Sequence, residues 1–280
     1  MRKILTYTFL CLLLIGCQSE TNSDEKRKPV KHSHASSELQ SKQSIQNKKE
    51  NNKYEDSKES VEHDQIDEIK ATHYVDENNW SIRPLIEKAD KQVVLLTIDD
   101  APDKYALEMA KILKEQHAGA IFFVNGHFLE TEEQREILKQ IHDMGFIIGN
   151  HTYSHVHLPD VSREKQKEEI IRVNDLVEDI IGERPTFFRA PFGANTDFSK
   201  QIIAEEKMAP MNWSYGYDFQ PEYMDKDKLI EIMLETELLH NGANILMHDR
   251  KWTKEALEDI VIGLREKGYE ILDPHYLHVE

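Results

Sequence analysis

Cysteine is nearly absent from this chain: among 280 residues there are two, Cys11 and Cys17, both close to the amino terminus. If that end is processed, no thiol remains for a disulfide, a thiolate nucleophile or a cysteine zinc site. An excess of positive charge is also lacking. Lys and Arg number 35 against 52 Asp and Glu, a formal net charge of −17. Without a basic stripe to neutralise phosphates, nucleic acid is a poor partner and an uncharged polymer an easier one. No apolar run is long enough to span a bilayer comfortably.

The apolar stretch from Ile4 to Ile15, preceded by Arg2 and Lys3, has the length of a signal h-region instead. It ends in Leu14-Ile15-Gly16-Cys17, which resembles the bacterial lipobox. That resemblance implies a signal peptide over residues 1–17, lipidation of Cys17, and an extracytoplasmic protein anchored to the cell membrane. Residues 18–79 are rich in Lys, Glu, Ser, Asn and Gln with no sustained apolar period, a composition that cannot offset its ordering entropy. They are expected to form a polar tether, with a coil reach of roughly 40–50 Å for its ~60 residues. Residues 80–280 are then one folded domain.

In that domain, short apolar runs at 92–98, 119–124, 146–150, 186–189, 209–213, 243–248 and 269–273 read as buried parallel strands. Segments with helical spacing lie between them, at 103–116, 131–144, 162–181, 197–207, 225–240 and 252–267. Asp160 followed by Val161 and Ser162, with Glu164 nearby, and Asp225 are start signals; Gly145, Gly182, Gly242 and Gly268 are stop signals. Strict alternation predicts an α/β fold, here a distorted, incomplete (β/α) barrel with about seven parallel strands.

Chemically capable residues cluster where these runs end. VVLLTIDD ends in Asp99 and Asp100, FIIGN leads to His151 and His155, PTFF to Arg189, the APMN run to Trp213 and ANILM to His248. Loops that follow parallel strands share one face, so these groups can converge. Asp100 with His151 and His155 makes a two-His, one-carboxylate set that leaves zinc, iron, cobalt or nickel open. Asp99 is then free to act as general base on water activated by the ion, with Arg189 holding it, and His248 on the far strand is placed to protonate a leaving group.

TIDD, HTYSH, RAPFG, a Trp-containing strand end and LMH, in this order over about Gln92 to Pro274, resemble the motifs of polysaccharide deacetylases, the NodB homology domain of carbohydrate esterase family four. The resemblance implies Asp100, His151 and His155 as metal ligands, Asp99 as catalytic base, Arg189 as its tether and His248 as general acid. It implies oxyanion stabilisation by the backbone N–H of Phe192, and a pocket for the acetyl methyl group formed by Trp213 and Leu246. Zn2+ is the ion it implies, with Co2+, Ni2+ or Fe2+ as alternatives. Three departures leave the ligands intact: Ile98 where Phe is usual, Ala101 where Gly is frequent, and Phe192 where Tyr is common. The fourth motif diverges more, running Trp213 to Phe219, and Asp218 is its candidate partner for His248.

The resemblance and the tethered location together imply removal of N-acetyl groups from N-acetylglucosamine units of peptidoglycan. Chitin oligomers, poly-N-acetylglucosamine, N-acetylmuramic acid and acetylxylan are alternative substrates. A glycan-binding lipoprotein without catalysis and a non-haem iron oxygenase are alternatives of other classes. The expected partners are an N-acetylated polysaccharide and, through the anchor, a membrane; no protein partner is indicated.

Overall fold

The computed structural model describes residues 70–279. Cys17, the signal peptide and most of the 18–79 segment lie outside the described residues. The elements run β1 (His73–Asp76), β2 (Ser81–Pro84), β3 (Val93–Ala101), α1 (Ala106–Glu115), β4 (Ile121–Val124), α2 (Glu132–Asp143), β5 (Ile147–Asn150), α3 (Arg163–Ile181), β6 (Phe187–Phe188), α4 (Asp197–Glu205), β7 (Ala209–Pro210), α5 (Lys226–Glu235), β8 (Ala243–His248), α6 (Lys251–Glu266) and β9 (Glu270–Ile271).

Seven strands form one parallel sheet in the order β7-β6-β5-β4-β3-β8, with β9 paired to the start of β3. The chain beyond β7 crosses to the opposite edge, where Tyr215 bridges Ile245 of β8 and Leu246 N–H donates to the Tyr215 carbonyl at 2.8 Å. This link curls the sheet into the incomplete barrel that the alternating pattern predicts.

Period-two alternation decides what lies inside. On β3, Val94, Leu96 and Ile98 join the large cluster under the helices, together with Phe122 and Val124 of β4. Val93 and Leu95 pack instead with Ile121, Phe123, Phe187 and Met211 in a second cluster lining the barrel. By the same alternation Thr97 and Asp99 point to the barrel side, and both are buried.

The helices are where the spacing places them. Ser162 caps α3 by accepting from Lys165 N–H, and Asp225 caps α5 by accepting from Lys228 N–H. Gly182 closes α3 in the left-handed conformation at φ 84°, the position where glycine avoids a Cβ penalty. Gly242 differs from its expected role as a helix stop. The helix α5 ends at Glu235, and Gly242 lies against β2, where its carbonyl accepts from Ile82 N–H at 2.7 Å.

The hairpin β1–β2 corrects the expected boundary at residue 80. His73 lies inside the segment read as tether, yet it is buried, and its Nε2 bonds the Asp90 carbonyl at 2.8 Å. Its backbone also accepts from His278 N–H at 2.8 Å, and Thr72 N–H donates to the Tyr276 carbonyl at 2.9 Å. Four residues paired antiparallel to β2 are too short and too polar to stand out by periodicity; what orders them is contact with the carboxy-terminal segment. Ile82 and Leu277 join the cluster that lines the barrel. A chain starting at Lys70 should therefore keep its thermal midpoint, whereas one starting at Trp80 should lose roughly 2–4 kcal/mol, or about 5–15 °C. Equal midpoints in a melting experiment would contradict this role of the hairpin.

Candidate active site

Two adjacent carboxylates at the end of β3 would ordinarily face opposite ways. Asp100 adopts φ 59°, and the β3–β4 ladder shifts register between Ile98 and Ala101. The left-handed backbone costs a non-glycine residue about 1 kcal/mol or more and turns Asp100 toward the same histidines that Asp99 approaches. His151 Nε2 lies 3.7 Å from Asp99 Oδ2 and 3.8 Å from Asp100 Oδ1, and His155 Nε2 lies 3.4 Å from Asp100 Oδ1.

Arg189 is the largest fully buried side chain among the described residues. Its Nη1 donates to Asp99 Oδ1 at 2.6 Å and to Thr97 Oγ1 at 2.8 Å; its Nη2 and Nε donate to the carbonyls of Asn212 and Met211 at 2.9 and 3.3 Å. The guanidinium also lies over the Phe123 ring at 4.3 Å. Asp99 is thus fixed through one oxygen by a charge-assisted bond, with the other oxygen facing His151.

His151 is oriented from behind. Its Nδ1 is 2.7 Å from the Arg189 carbonyl, and because a carbonyl only accepts, that nitrogen carries the hydrogen and Nε2 presents its lone pair forward. His155 arrives by a tight loop in which Thr152 and His155 both have positive φ, 67° and 56°. Buried amides secure the loop. Asn125 donates to the carbonyls of His151 and Thr152, and Asn150 Oδ1 accepts from Thr152 N–H. The carboxylate of Glu169, from α3, accepts from both the N–H and the hydroxyl of Ser154 at 2.7 Å.

One ligand atom from each of Asp100, His151 and His155 lies within 4.8 Å of the others. This donor set, with one imidazole tautomer fixed by a backbone carbonyl, fits a divalent ion. Burial, followed by the neighbouring His151, pushes His155 below the usual imidazole range and favours its neutral, donating form. Burial works to raise Asp100, but His151, His248, His155 and Arg250 outweigh it and hold the carboxyl below its usual range.

On the opposite strand, His248 Nδ1 is 2.7 Å from Asp218 Oδ1, so Nδ1 donates and Nε2 is the free nitrogen. Asp218 is fully buried and also accepts from His248 N–H at 2.6 Å and from Thr253 Oγ1 at 2.8 Å. Burial opposes the charging of His248, but Asp218, with Asp99 and Asp100 beyond it, pushes the imidazole up to about 9. Leu246 is buried on β8, two residues before His248. Trp213 is half-buried with its ring 5.8 Å from the Arg189 guanidinium. Phe192 sits at φ 59° in the turn Pro191–Gly193, and its ring is edge-on to His155 at 5.0 Å.

Sequence reasoning missed four supports. Arg250 Nη2 donates to Asp100 Oδ2 at 2.6 Å. Asp249 is buried and accepts from Lys104 and Tyr105 N–H at 3.0 and 2.6 Å, bracing the loop that follows Asp100. Glu169 and Asn125 complete the set. Arg250 and Asp249 directly follow the LMH run, where their proximity to His248 was the available signal. Glu169 sits in an otherwise ordinary charged helix and carried none.

A carboxylate clamped by arginine, a two-His, one-carboxylate donor set and an aspartate-paired imidazole, on one rim of an α/β barrel, define a hydrolytic class of site. Comparison with known proteins agrees. Residues 86–211 match the model of the family described as polysaccharide deacetylase, and the chain belongs to that family. It is 31% identical over 186 residues to the uncharacterized protein YlxY of Bacillus subtilis, a match covering 65% of this chain and 56% of that protein. The chain thus spans little more than half of that relative. Identity to a peptidoglycan-N-acetylglucosamine deacetylase of Bacillus cereus is 27% over 210 residues, covering 69% of this chain and 74% of the relative. The crystal structure of BA3943, titled a CE4 family pseudoenzyme from Bacillus anthracis, superposes with a TM-score of 0.58 at 28% identity, covering 65% of this chain and 63% of that one.

Substituting Arg189→Met should strand the Asp99 carboxylate in the barrel. The expected loss is about 3–5 kcal/mol of unfolding free energy in a urea titration; a loss below about 1 kcal/mol, the range of an ordinary surface change, would contradict the clamp.

Proposed function

We propose that this chain is a metal-dependent hydrolase that removes N-acetyl groups from N-acetylglucosamine units of peptidoglycan. The observation that carries the proposal is the division of labour between adjacent carboxylates. Asp99 is clamped by Arg189 while Asp100 stands with His151 and His155, so base and ligand are separate groups. Similarity to a peptidoglycan-N-acetylglucosamine deacetylase and the expected wall-side location support the substrate.

A divalent ion held by Asp100, His151 and His155, with Zn2+ as the leading choice and Co2+, Ni2+ or Fe2+ as alternatives, would supply Lewis acidity to water and to the acetamide carbonyl. Asp99 takes a proton from the attacking water. Arg189 fixes that carboxylate in direction through its Nη1. The backbone N–H of Phe192 serves as a donor to the developing oxyanion. Trp213 and Leu246 enclose the acetyl methyl group. His248, charged through its pair with Asp218, gives its Nε2 proton to the departing amine as the C–N bond breaks. Acetate and a free glucosamine amine result.

The full chain, given Zn2+ or Co2+, should release acetate and matching free amines from peptidoglycan, and EDTA should abolish the release. Asp99→Asn should bind one equivalent of metal and lose about 10²–10⁴-fold in turnover, whereas His151→Ala should lose the metal as well. Acetate from acetylxylan or chitin oligomers alone would redirect the substrate. Bound metal with no release from any polymer would favour a glycan-binding protein without catalysis, and dioxygen-dependent turnover would favour an oxygenase.

Because His248 must be protonated to act as the acid, activity should fall on an alkaline limb at or below the pH of about 9 set for the ion-free site, since a bound cation moves it down. Asp218→Asn should move that limb roughly a unit or more toward acid pH; an unmoved limb in a pH–rate profile would remove Asp218 from this role. We further propose lipid anchoring through Cys17. Cys17→Ser should then release the protein from the membrane fraction, and unchanged fractionation without lipid label would reject the anchor.

A further inference from the structure

Three cations, Arg250, Lys251 and Lys254, follow His248 in close succession, and one of them is turned into the site. Lys251 pairs with Glu255 at 3.7 Å and Lys254 with Glu108 at 3.1 Å, so both are taken up by carboxylates on helices. Arg250 pairs instead with Asp100, its Nη2 donating to Oδ2 at 2.6 Å. The guanidinium is held on both arms of its fork, because Nη1 donates to the Asp249 carbonyl at 2.9 Å. Asp249 is itself fixed, by its N–H on the Asp99 carbonyl at 3.0 Å and by its carboxylate on the N–H groups of Lys104 and Tyr105. The Arg250 backbone is tied down as well: its N–H donates to the His248 carbonyl at 2.8 Å, and its carbonyl accepts from Lys254 N–H at 2.9 Å at the start of α6.

A carboxylate can offer an ion one oxygen or two. Asp100 Oδ1 lies 3.8 Å from His151 Nε2 and 3.4 Å from His155 Nε2, whereas Oδ2 is committed to Arg250. A short, charge-assisted bond of this kind is among the stronger ones a carboxylate makes. With Oδ2 so occupied, the donor set is two imidazoles and one oxygen, an arrangement that leaves a position open for water and substrate. A second Asp100 oxygen on the ion would fill that position. The same guanidinium also repels the ion, since positive charge beside a divalent cation weakens its binding. One contact therefore lowers the hold on the ion and keeps the ion's free side free.

We propose that Arg250 is a positioning residue that makes Asp100 a one-oxygen ligand, holding a coordination position open while lowering metal affinity. This deepens the metal-dependent reading of the site and rests on it. A hydrogen bond that merely orients a ligand strengthens metal binding and activity together. Arg250 separates the two: it raises turnover and loosens the ion.

The test compares the full-length chain with its Arg250→Ala and Arg250→Lys variants. Zn2+ affinity is measured by competition with a chromophoric chelator, the ion's surroundings by X-ray absorption, and turnover by acetate release from peptidoglycan. Arg250→Ala should bind Zn2+ roughly three- to thirtyfold more tightly, draw the Asp100 carboxyl carbon closer to the ion, and lose roughly tenfold or more in kcat. Arg250→Lys keeps the charge on a single point donor, so it should hold Zn2+ within about threefold of the unsubstituted chain and recover part of kcat. The Arg250 side chain is 35% exposed, so neither change leaves a buried cavity and the thermal midpoint should stay within about 2 °C. Unchanged or weaker Zn2+ affinity in Arg250→Ala would overturn the proposal, because a residue that only supports the loop gives that result. If the unsubstituted chain binds no Zn2+, the metal-dependent reading itself fails. If it binds Zn2+ but releases no acetate, the substrate reading fails, and the affinity and absorption results decide the role of Arg250 by themselves.

Discussion

The buried guanidinium of Arg189 is the constraint around which the barrel is arranged. A fully desolvated charge is tolerated only with a partner and a complete set of acceptors. The fold supplies Asp99 and Thr97 from β3, two carbonyls from the chain beyond β7, and the Phe123 face from β4. Thr97 in turn donates to the Ile245 carbonyl of β8 at 2.8 Å. One side chain thereby ties four strands at the rim. The Arg189 backbone carbonyl also fixes the tautomer of His151, so the group that holds the proposed base also orients a proposed ligand.

The pair Asp99–Asp100 depends on that arrangement. Two neighbouring carboxylates repel, and separating their functions requires that each face its own counter-charge. Asp99 meets Arg189 and Asp100 meets Arg250 through one oxygen while keeping the other toward the histidines. Left-handed backbone at Asp100, Thr152, His155 and Phe192 concentrates strain at this rim, where buried amides and Glu169 hold it. Such strain persists where surrounding structure over-determines it, and it preorganises donors before substrate arrives.

Much of this architecture was legible in the chain because the barrel obeys local rules. Each long apolar run ends at one rim of the sheet, and α2, α3, α4 and α5 begin at Thr131, Ser162, Thr196 and Asp225, residues whose side chains cap them. The hairpin was invisible because it is ordered by contact with the carboxy-terminal segment, not by its own pattern. Asp100 and Asp99 could be nominated from adjacency, but only the backbone geometry at Asp100 brings both into one site. Asp218 was the weakest motif position by sequence, since the Trp213–Phe219 stretch offers no periodicity to fix its direction; its bonds to His248, Thr253 and the β8 backbone settle where it points. Glu169 and Asn125 act through backbone they hold in place, a role that leaves no mark on residue spacing.

The central claim is that Asp100, His151 and His155 hold the ion while Asp99 stays out of its ligand set. X-ray absorption at the metal edge of the zinc-loaded full-length protein tests this most directly. The account predicts a first shell of two imidazole nitrogens and light oxygen donors without sulfur, unchanged in Asp99→Asn and lost in Asp100→Asn. A shell that changes in Asp99→Asn, contains sulfur, or shows a single imidazole would contradict it.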